Sequence, residues 1–169
     1  MTAYVLLVTA VGIERLAELV VSTRNARWAF ARGGVEYGRG HYPVMSAMHA
    51  ALLVACVVEV AVADRPFLPW LGWPMLSLVV VAQALRWWCV ATLGHQWNTR
   101  VIVVPYLPLV TSGPYRWLRH PNYVAVVVEV AALPLVHTAW VTALVFTLAN
   151  AAVLSVRIPV EERALASVS

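Results

Sequence analysis

Five apolar runs, at about residues 3–21, 43–63, 70–93, 121–135 and 140–156, take up most of this 169-residue chain. A helix that crosses a bilayer needs about 20 mostly apolar residues, because the hydrocarbon core is about 30 Å thick and each residue rises about 1.5 Å. Charged residues make up 12% of the chain, against about a quarter in soluble domains. The mean hydropathy is +0.76. The expected fold is an all-α integral membrane protein, one membrane domain of five transmembrane helices, with no room for a soluble domain.

Arginine placement sets the expected orientation. The chain has no lysine, and its net charge of +4 comes from twelve arginines against eight acidic residues. Nine of the twelve lie in Ser22–Tyr42, in Gly94–Arg119 and after Val156, whereas the opposite loops hold only Arg65. Cytoplasmic loops carry the excess of basic residues, so the N-terminus is expected outside and the C-terminus in the cytoplasm. No basic run lies on a soluble face, which speaks for membrane lipids and against nucleic acid as partners. The first run has no basic n-region and no small-residue cleavage site, so it reads as a retained span. Cys56 and Cys89 both fall inside apolar runs and read as small core residues; no metal-ligand spacing is present.

Polar residues inside the runs need a reason, since they normally face the protein interior and pair. Glu14, Arg15 and Glu18 share one face of the first run. They read as an ion-pair network that fixes packing, with a glutamate on a cavity wall as the sharper alternative. Gln83 and Arg86 share a face of the third run. The second holds His49 near its start and Glu59 near its end, and a lone His49 reads as a packing residue. Arg24, Arg27, Trp28 and Phe30 are expected to form a short interfacial helix, ended by the glycines at 33, 34, 38 and 40. Thr99–Pro105 is β-branched and reads as a strand, with Leu107–Gly113 returning beside it as a short hairpin at the cytoplasmic membrane surface before the fourth span.

The richest polar stretch is Gly113-Pro-Tyr-Arg-Trp-Leu-Arg-His-Pro-Asn-Tyr123. Gly113-Pro114 reads as a turn and Pro121 as the first residue of a helix, where its missing N–H costs nothing. The turn Pro134–Thr138 is so short that the fourth and fifth runs must be antiparallel neighbours. That brings Arg119, His120 and Asn122 beside Arg157 and Glu161. Asn150, Arg157 and Glu161 recur on one helical stripe, expected to face Asn122 and Glu129. Pro159 lies between Arg157 and Glu161, and a proline inside a helix costs about 3 kcal/mol. A kink, or a fresh helix starting at Pro159, is therefore expected.

An arginine there can clamp a carboxylate, a glutamate can take ribose hydroxyls or an amine, and Tyr115, Trp117 and Tyr123 can stack on a purine or face a cation. Such a set suits S-adenosylmethionine. It equally suits a structural arrangement in which the arginines hold lipid headgroups and Glu161 and Glu162 are solvated. Spacing alone does not separate the two.

The stretch Leu109–Tyr123, followed by a pair of spans and Arg157-x-x-x-Glu161-Glu162, resembles the isoprenylcysteine carboxyl methyltransferase family. The resemblance covers about the last seventy residues and the five-span outline. It implies a membrane-embedded O-methyltransferase that uses S-adenosylmethionine at the cytoplasmic face. The cofactor contacts it implies are Leu107, Pro108, Leu109, Val110, Tyr115, His120, Pro121, Asn122, Tyr123 and Glu161. Arg157 matches the arginine facing the reacting group, and a lipophilic small molecule enters sideways from the bilayer. The short, lysine-free chain is similar to bacterial members that methylate alkylresorcinols, which implies a phenol in place of a prenylcysteine carboxylate and a location in a bacterial cell membrane. A phenol must lose a proton, and Glu129 is the candidate general base, since burial raises a glutamate pKa. The alternative is Glu129 bonded to Asn122, Arg157 or another helix.

Phospholipid N-methyltransferases carry a similar block, and so does the C-terminal part of the longer, NADPH-dependent sterol reductases. A lipid-binding scaffold is the non-enzyme alternative; it leaves His120, Asn122 and Glu161 without a purpose.

Overall fold

Each apolar run becomes a helix in the computed structural model, which describes residues 1–166. The elements run α1 (Thr2–Phe30), β1 (Val35–Tyr37), α2 (His41–Val62), α3 (Pro69–Leu93), β2 (Val101–Val103), α4 (Pro121–Leu135) and α5 (Trp140–Ala166). Three of them are long and apolar enough to cross a bilayer: Tyr42–Val62, Pro69–Gln96 and Trp140–Ala166. Helix α1 has the length, with 29 residues, but Glu14, Arg15 and Glu18 interrupt its apolar stretch. Helix α4 has 15 residues, about 22 Å of rise, short of a hydrocarbon core. The molecule is thus an integral membrane protein with three long apolar helices, accompanied by one charged and one short helix.

Large apolar side chains face outward along the helices, among them Leu6, Ile13, Val54, Val58, Trp73, Val80, Leu144 and Leu148. Such an apolar surface is stable against lipid and not against water. Inside, Tyr4, Val8, Leu52, Cys56, Val60, Val79, Val130 and Leu133 pack into one core. It lies toward the end of the bundle where α4 turns into α5. Tyr4 Oη donates to the Leu133 carbonyl there at 3.1 Å, so the polar tip of a core tyrosine is satisfied. The Glu59 carboxylate accepts from the backbone N–H groups of Val141 and Thr142 at 3.3 and 2.7 Å and pairs with Arg65 at 2.8 Å. An acid at the N-terminus of α5 meets the positive end of the helix dipole. Cys56 and Cys89 are buried free thiols.

Three sequence expectations are corrected. The residues Arg24–Phe30 form no separate interfacial helix, because α1 runs through them unbroken. The strand Val101–Val103 exists, but its partner is β1, antiparallel, with Val35 opposite Val103 and Tyr37 opposite Val101. Leu107–Gly113 forms no strand, and Pro108 would remove a ladder donor there. Finally, no fresh helix starts at Pro159, since α5 continues helically from Trp140 to Ala166, so Arg157 and Glu161 stay on one helical element. The expected tail beyond Arg163 is helix as far as Ala166, and residues 167–169 lie outside the described residues.

The small sheet has a positional role. Val101 and Val103 pack with Ala164, Tyr37 and Leu165, which seats it on the last turns of α5. The end of α1 holds the preceding loop: Asn25 Nδ2 donates to the carbonyls of Gly94 and Trp97 at 3.0 and 2.7 Å. Ser22 Oγ donates to Asn98 Oδ1 at 2.9 Å and accepts from the Thr99 N–H at 3.1 Å. The 94–104 segment is therefore a fixed roof over this end of the bundle.

Candidate functional site

The motif stretch folds as its turn residues dictate. Gly113 sits at φ 56°, and a Cβ there would lie 2.6 Å from Thr92 Oγ1. Glycine alone lets the loop press against the end of α3. A turn of 3-10 helix follows over Gly113–Arg116, and Pro121 opens α4 with His120 as its cap residue.

Two cavities meet at this end of the molecule. The first, about 280 Å³, runs into the bundle between α1, α2, α4 and α5. Gly12, Leu16, Leu53, Val126 and Leu154 give it an apolar wall, Arg15, Glu18, His49 and Arg86 line it beside them, and Asn98, Asn122, Tyr123, Asn150, Arg157 and Glu161 add further polar groups. Leu16 is also 64% exposed on the outer surface of α1. The second cavity, about 500 Å³, lies under the 94–111 segment and is lined by Leu107, Leu109, Val110, Thr111 and Leu165 among others. Tyr115, Arg119, His120 and Glu161 line both.

Arg157 is 5% exposed and is held from two sides. Its Nε donates to Tyr123 Oη at 2.7 Å, and Nη2 donates to the Thr99 carbonyl at 2.5 Å. The Tyr123 hydroxyl in turn donates to the Glu161 carboxylate. His120 closes the group, with Nδ1 3.5 Å from Glu161 and Nε2 3.4 Å from Glu162. Hydrogen bonding to Glu161, with Glu162 adding to it, holds the His120 imidazole above the usual histidine range. Burial pushes the Tyr115 phenol up, so it stays a neutral donor. The buried Oδ1 of Asn122 has no hydrogen-bond partner, nor does the buried Nε1 of Trp97 on the same cavity wall. A buried polar atom without a partner is costly, and both atoms suit a polar ligand.

The residues named from the sequence are distributed as follows. Leu107, Leu109, Val110, Tyr115, His120 and Glu161 line the larger cavity. Asn122, Tyr123 and Arg157 line the smaller one. Pro108 lines neither; its carbonyl accepts from Gln96 Nε2 at 3.5 Å. Pro121 is buried in the first turn of α4 and acts by starting the helix.

Glu129 is not poised as a base, and here the geometry corrects the expectation. Its carboxylate accepts from Arg15 and, at 3.2 Å, from Arg86. Arg15 also pairs with Glu18 at 2.7 Å, and Arg86 approaches Glu18 at 3.3 Å. The four side chains form a closed, neutral ring joining α1, α3 and α4. Two guanidinium groups on one carboxylate make it a poor proton acceptor. Neither Asn122 nor Arg157 reaches Glu129: Arg157 is turned to Tyr123 and Thr99. The ion-pair reading holds for Arg15 and Glu18, which are in this ring, while Glu14 is outside it; Glu18 also touches the cavity. Glu14 accepts from Gln83 and Trp87.

Arg119, expected beside Arg157 and Glu161 but not named as a cofactor contact, lines both cavities; the residues absent from the sequence-based site are Asn98 on both, and Tyr42, His49, Trp97 and Thr99 on the smaller. Arg119 lies within the motif stretch and carried a signal. The others lie at least twenty residues upstream of His120 and were brought in by the packing of α2 and the 94–104 roof.

A family model and a solved structure point to the same relationship. Residues 75–167 match the model of the isoprenylcysteine carboxyl methyltransferase (ICMT) family. The chain is 37% identical to the uncharacterized protein YpbQ of Bacillus subtilis (strain 168) over 161 residues, 95% of each chain. It is 27% identical to an uncharacterized protein of Haemophilus influenzae over 154 residues, 89% of this chain and 88% of that one. Among solved structures it is similar to the eukaryotic intramembrane Ras methyltransferase ICMT, with a TM-score of 0.57 and 26% identity over 74% of this chain. This chain spans less than half of that larger protein, 46% of its length. With the family model matching more than half of its residues, the chain belongs to the isoprenylcysteine carboxyl methyltransferase family.

Proposed function

We propose that this protein is a membrane methyltransferase that transfers a methyl group from S-adenosylmethionine to an oxygen of a lipophilic small molecule. The observation that carries the reading is the junction of two unlike cavities at Tyr115, Arg119, His120 and Glu161. One is broad, lies beneath the 94–111 segment and can take a polar, nucleoside-sized group. The other is smaller, offers the apolar side chains of Leu53, Val126 and Leu154, and is bordered by the lipid-facing Leu16. A water-soluble donor and a lipid-soluble acceptor can meet at such a junction.

The residues present fit the donor. The unpartnered Oδ1 of Asn122 can accept from an amine. The Arg119 guanidinium, on both cavities, can clamp a carboxylate. Glu161 suits ribose hydroxyls, and Leu107, Leu109 and Val110 offer an apolar wall to an adenine ring. S-adenosylmethionine supplies a methyl group activated by a positively charged sulfur. The chain's own residues bind and orient: Arg157, held by Tyr123 and Thr99, has N–H groups left over that can donate to an acceptor oxygen in the cavity it lines. Most of the acceleration then comes from holding the reactants in line. The hydrocarbon part of the acceptor occupies the wall of Gly12, Leu16, Leu53 and Val126 and enters from the bilayer. The acceptor is an alkylresorcinol-like or polyketide lipid, or a prenylcysteine carboxylate. The arginine distribution argues for a cytoplasmic active site, with five helices crossing or entering the membrane.

Calorimetry of the purified protein in detergent tests the reading. S-adenosylhomocysteine is expected to bind and NADPH not to. Binding of NADPH alone would favour a reductase, and binding of neither to a folded sample would favour a lipid-binding scaffold.

A further inference from the structure

One proton-accepting group on the cavity of Arg157 and Glu161 has no part in the scheme so far. His49 lies on α2, about two turns from its start, and lines that cavity. Its Nδ1 is 2.8 Å from the carbonyl of Met45, one turn earlier. A carbonyl oxygen only accepts, so Nδ1 carries the hydrogen and Nε2 holds the lone pair. The helix backbone thus fixes the tautomer of a half-buried imidazole.

The other proton acceptors on this wall are engaged. Glu18 is paired with Arg15 at 2.7 Å and approached by Arg86 at 3.3 Å. Glu161 accepts from Tyr123 and faces His120 at 3.5 Å. His120 is itself held between Glu161 and Glu162. Glu129, behind the wall, is held by Arg15 and Arg86. Among the described residues of the cavity, His49 Nε2 is the titratable proton acceptor that no hydrogen bond or ion pair engages, Asn122 Oδ1 being an acceptor that cannot take up a proton near neutral pH.

We propose that His49 is the general base of the reaction and that the acceptor is a hydroxyl, phenolic or enolic, on an alkyl-chain lipid. This rests on the methyltransferase reading above and narrows its acceptor class. A carboxylate, with an ordinary pKa of about 4, is already ionised near neutral pH and has no use for a base; a phenol, at about 10, does. His49 Nε2 takes the hydroxyl proton as the oxygen's electron pair forms the new O–CH3 bond. The methyl–sulfur bond of the sulfonium donor breaks with its pair on sulfur, leaving a neutral thioether, and the imidazolium returns its proton to water. Arg15 from α1, Arg86 from α3 and Glu129 from α4 are the charges acting on the imidazole. Glu18 of α1 and Arg157 and Glu161 of α5 share its cavity.

The test uses the full chain in detergent, with His49→Gln and His49→Asn. S-adenosylhomocysteine affinity within about threefold of wild type identifies folded variants. A para-nitrophenol bearing an alkyl chain changes colour on losing its proton and so reports ionisation without turnover. Bound to the wild type, it is expected to ionise at a pH lower by about one unit than in empty micelles, and bound to the variants at the micelle value. The kcat toward an alkylresorcinol is expected to fall about a hundredfold in the variants, with KM changed little and the acid limb of the kcat–pH profile lost. The proposal is overturned if the probe ionises alike in wild type and micelles, a readout that needs no variant to fold. It is equally overturned if His49→Gln keeps wild-type kcat and pH profile, or if the wild type methylates carboxylates alone. Failure of the wild type to bind S-adenosylhomocysteine would instead remove the methyltransferase reading, and the reaction assigned to His49 with it.

Discussion

The Tyr123 hydroxyl accepts from Arg157 Nε at 2.7 Å and donates to Glu161, so one phenol links the arginine and the glutamate. Arg157 and Glu161 are one turn apart on α5, and Tyr123 comes from the first turn of α4. The site therefore depends on the register between the last two helices.

Tyr123→Phe removes that link and leaves a guanidinium N–H without its acceptor. A hydrogen bond to a charged group contributes about 1.5–3 kcal/mol, so turnover is expected to fall by roughly tenfold to a hundredfold. S-adenosylhomocysteine affinity should change by only a few-fold. Steady-state kinetics and calorimetry on the same preparation distinguish the two effects.

Glu161→Ala and Arg157→Ala are expected to separate binding from chemistry. The first takes a carboxylate from the wall shared by both cavities and should weaken S-adenosylhomocysteine by about tenfold or more, a loss of about 1.4 kcal/mol. The second should lower kcat more than it lowers that affinity. Wild-type activity in both variants at normal expression would disprove the site.

Glu129→Gln leaves Arg15 and Arg86 facing each other with Glu18 as the remaining counter-ion. Breaking a buried ion pair costs about 3–5 kcal/mol, so the detergent-solubilised variant should melt about 10 °C lower. A scan of Tm decides the matter. Loss of turnover at unchanged Tm would return Glu129 to the role of a base.

His120 gives the site a pH dependence of defined sign. Its folded pKa is raised, chiefly by the hydrogen bond to Glu161. Its contribution to stability is therefore fully present below the unfolded histidine value of about 6.5 and is lost as pH rises through the higher folded value. Tm should decline across that window in the wild type and less so in His120→Gln. Equal slopes would show that the His120–Glu161 contact carries no stability.

The apolar runs were legible because each exceeds what a small core can hide, and Pro121 marked the start of α4 because proline belongs in a first turn. Arg119, His120, Asn122, Arg157 and Glu161 were brought together on paper by the short turn between α4 and α5, and the described helices keep them together. The strand at 101–103 was visible in its β-branched residues. Its partner was not, because Val35–Tyr37 lies more than sixty residues earlier and pairing leaves no local trace.

What the sequence determined by itself was whatever follows from nearest neighbours along the chain: the helices, their ends and the polar stretch between α3 and α4. Tertiary structure alone decided which charges meet. Glu129 shares a helix with Asn122 but is captured by Arg15 and Arg86, because buried charges take the partners that packing brings within about 3 Å, whatever their distance in sequence. It also decided that His49, an isolated histidine in an apolar run, lines the same cavity as Arg157. That follows from the packing of α2 against α5, which no periodicity along either helix encodes.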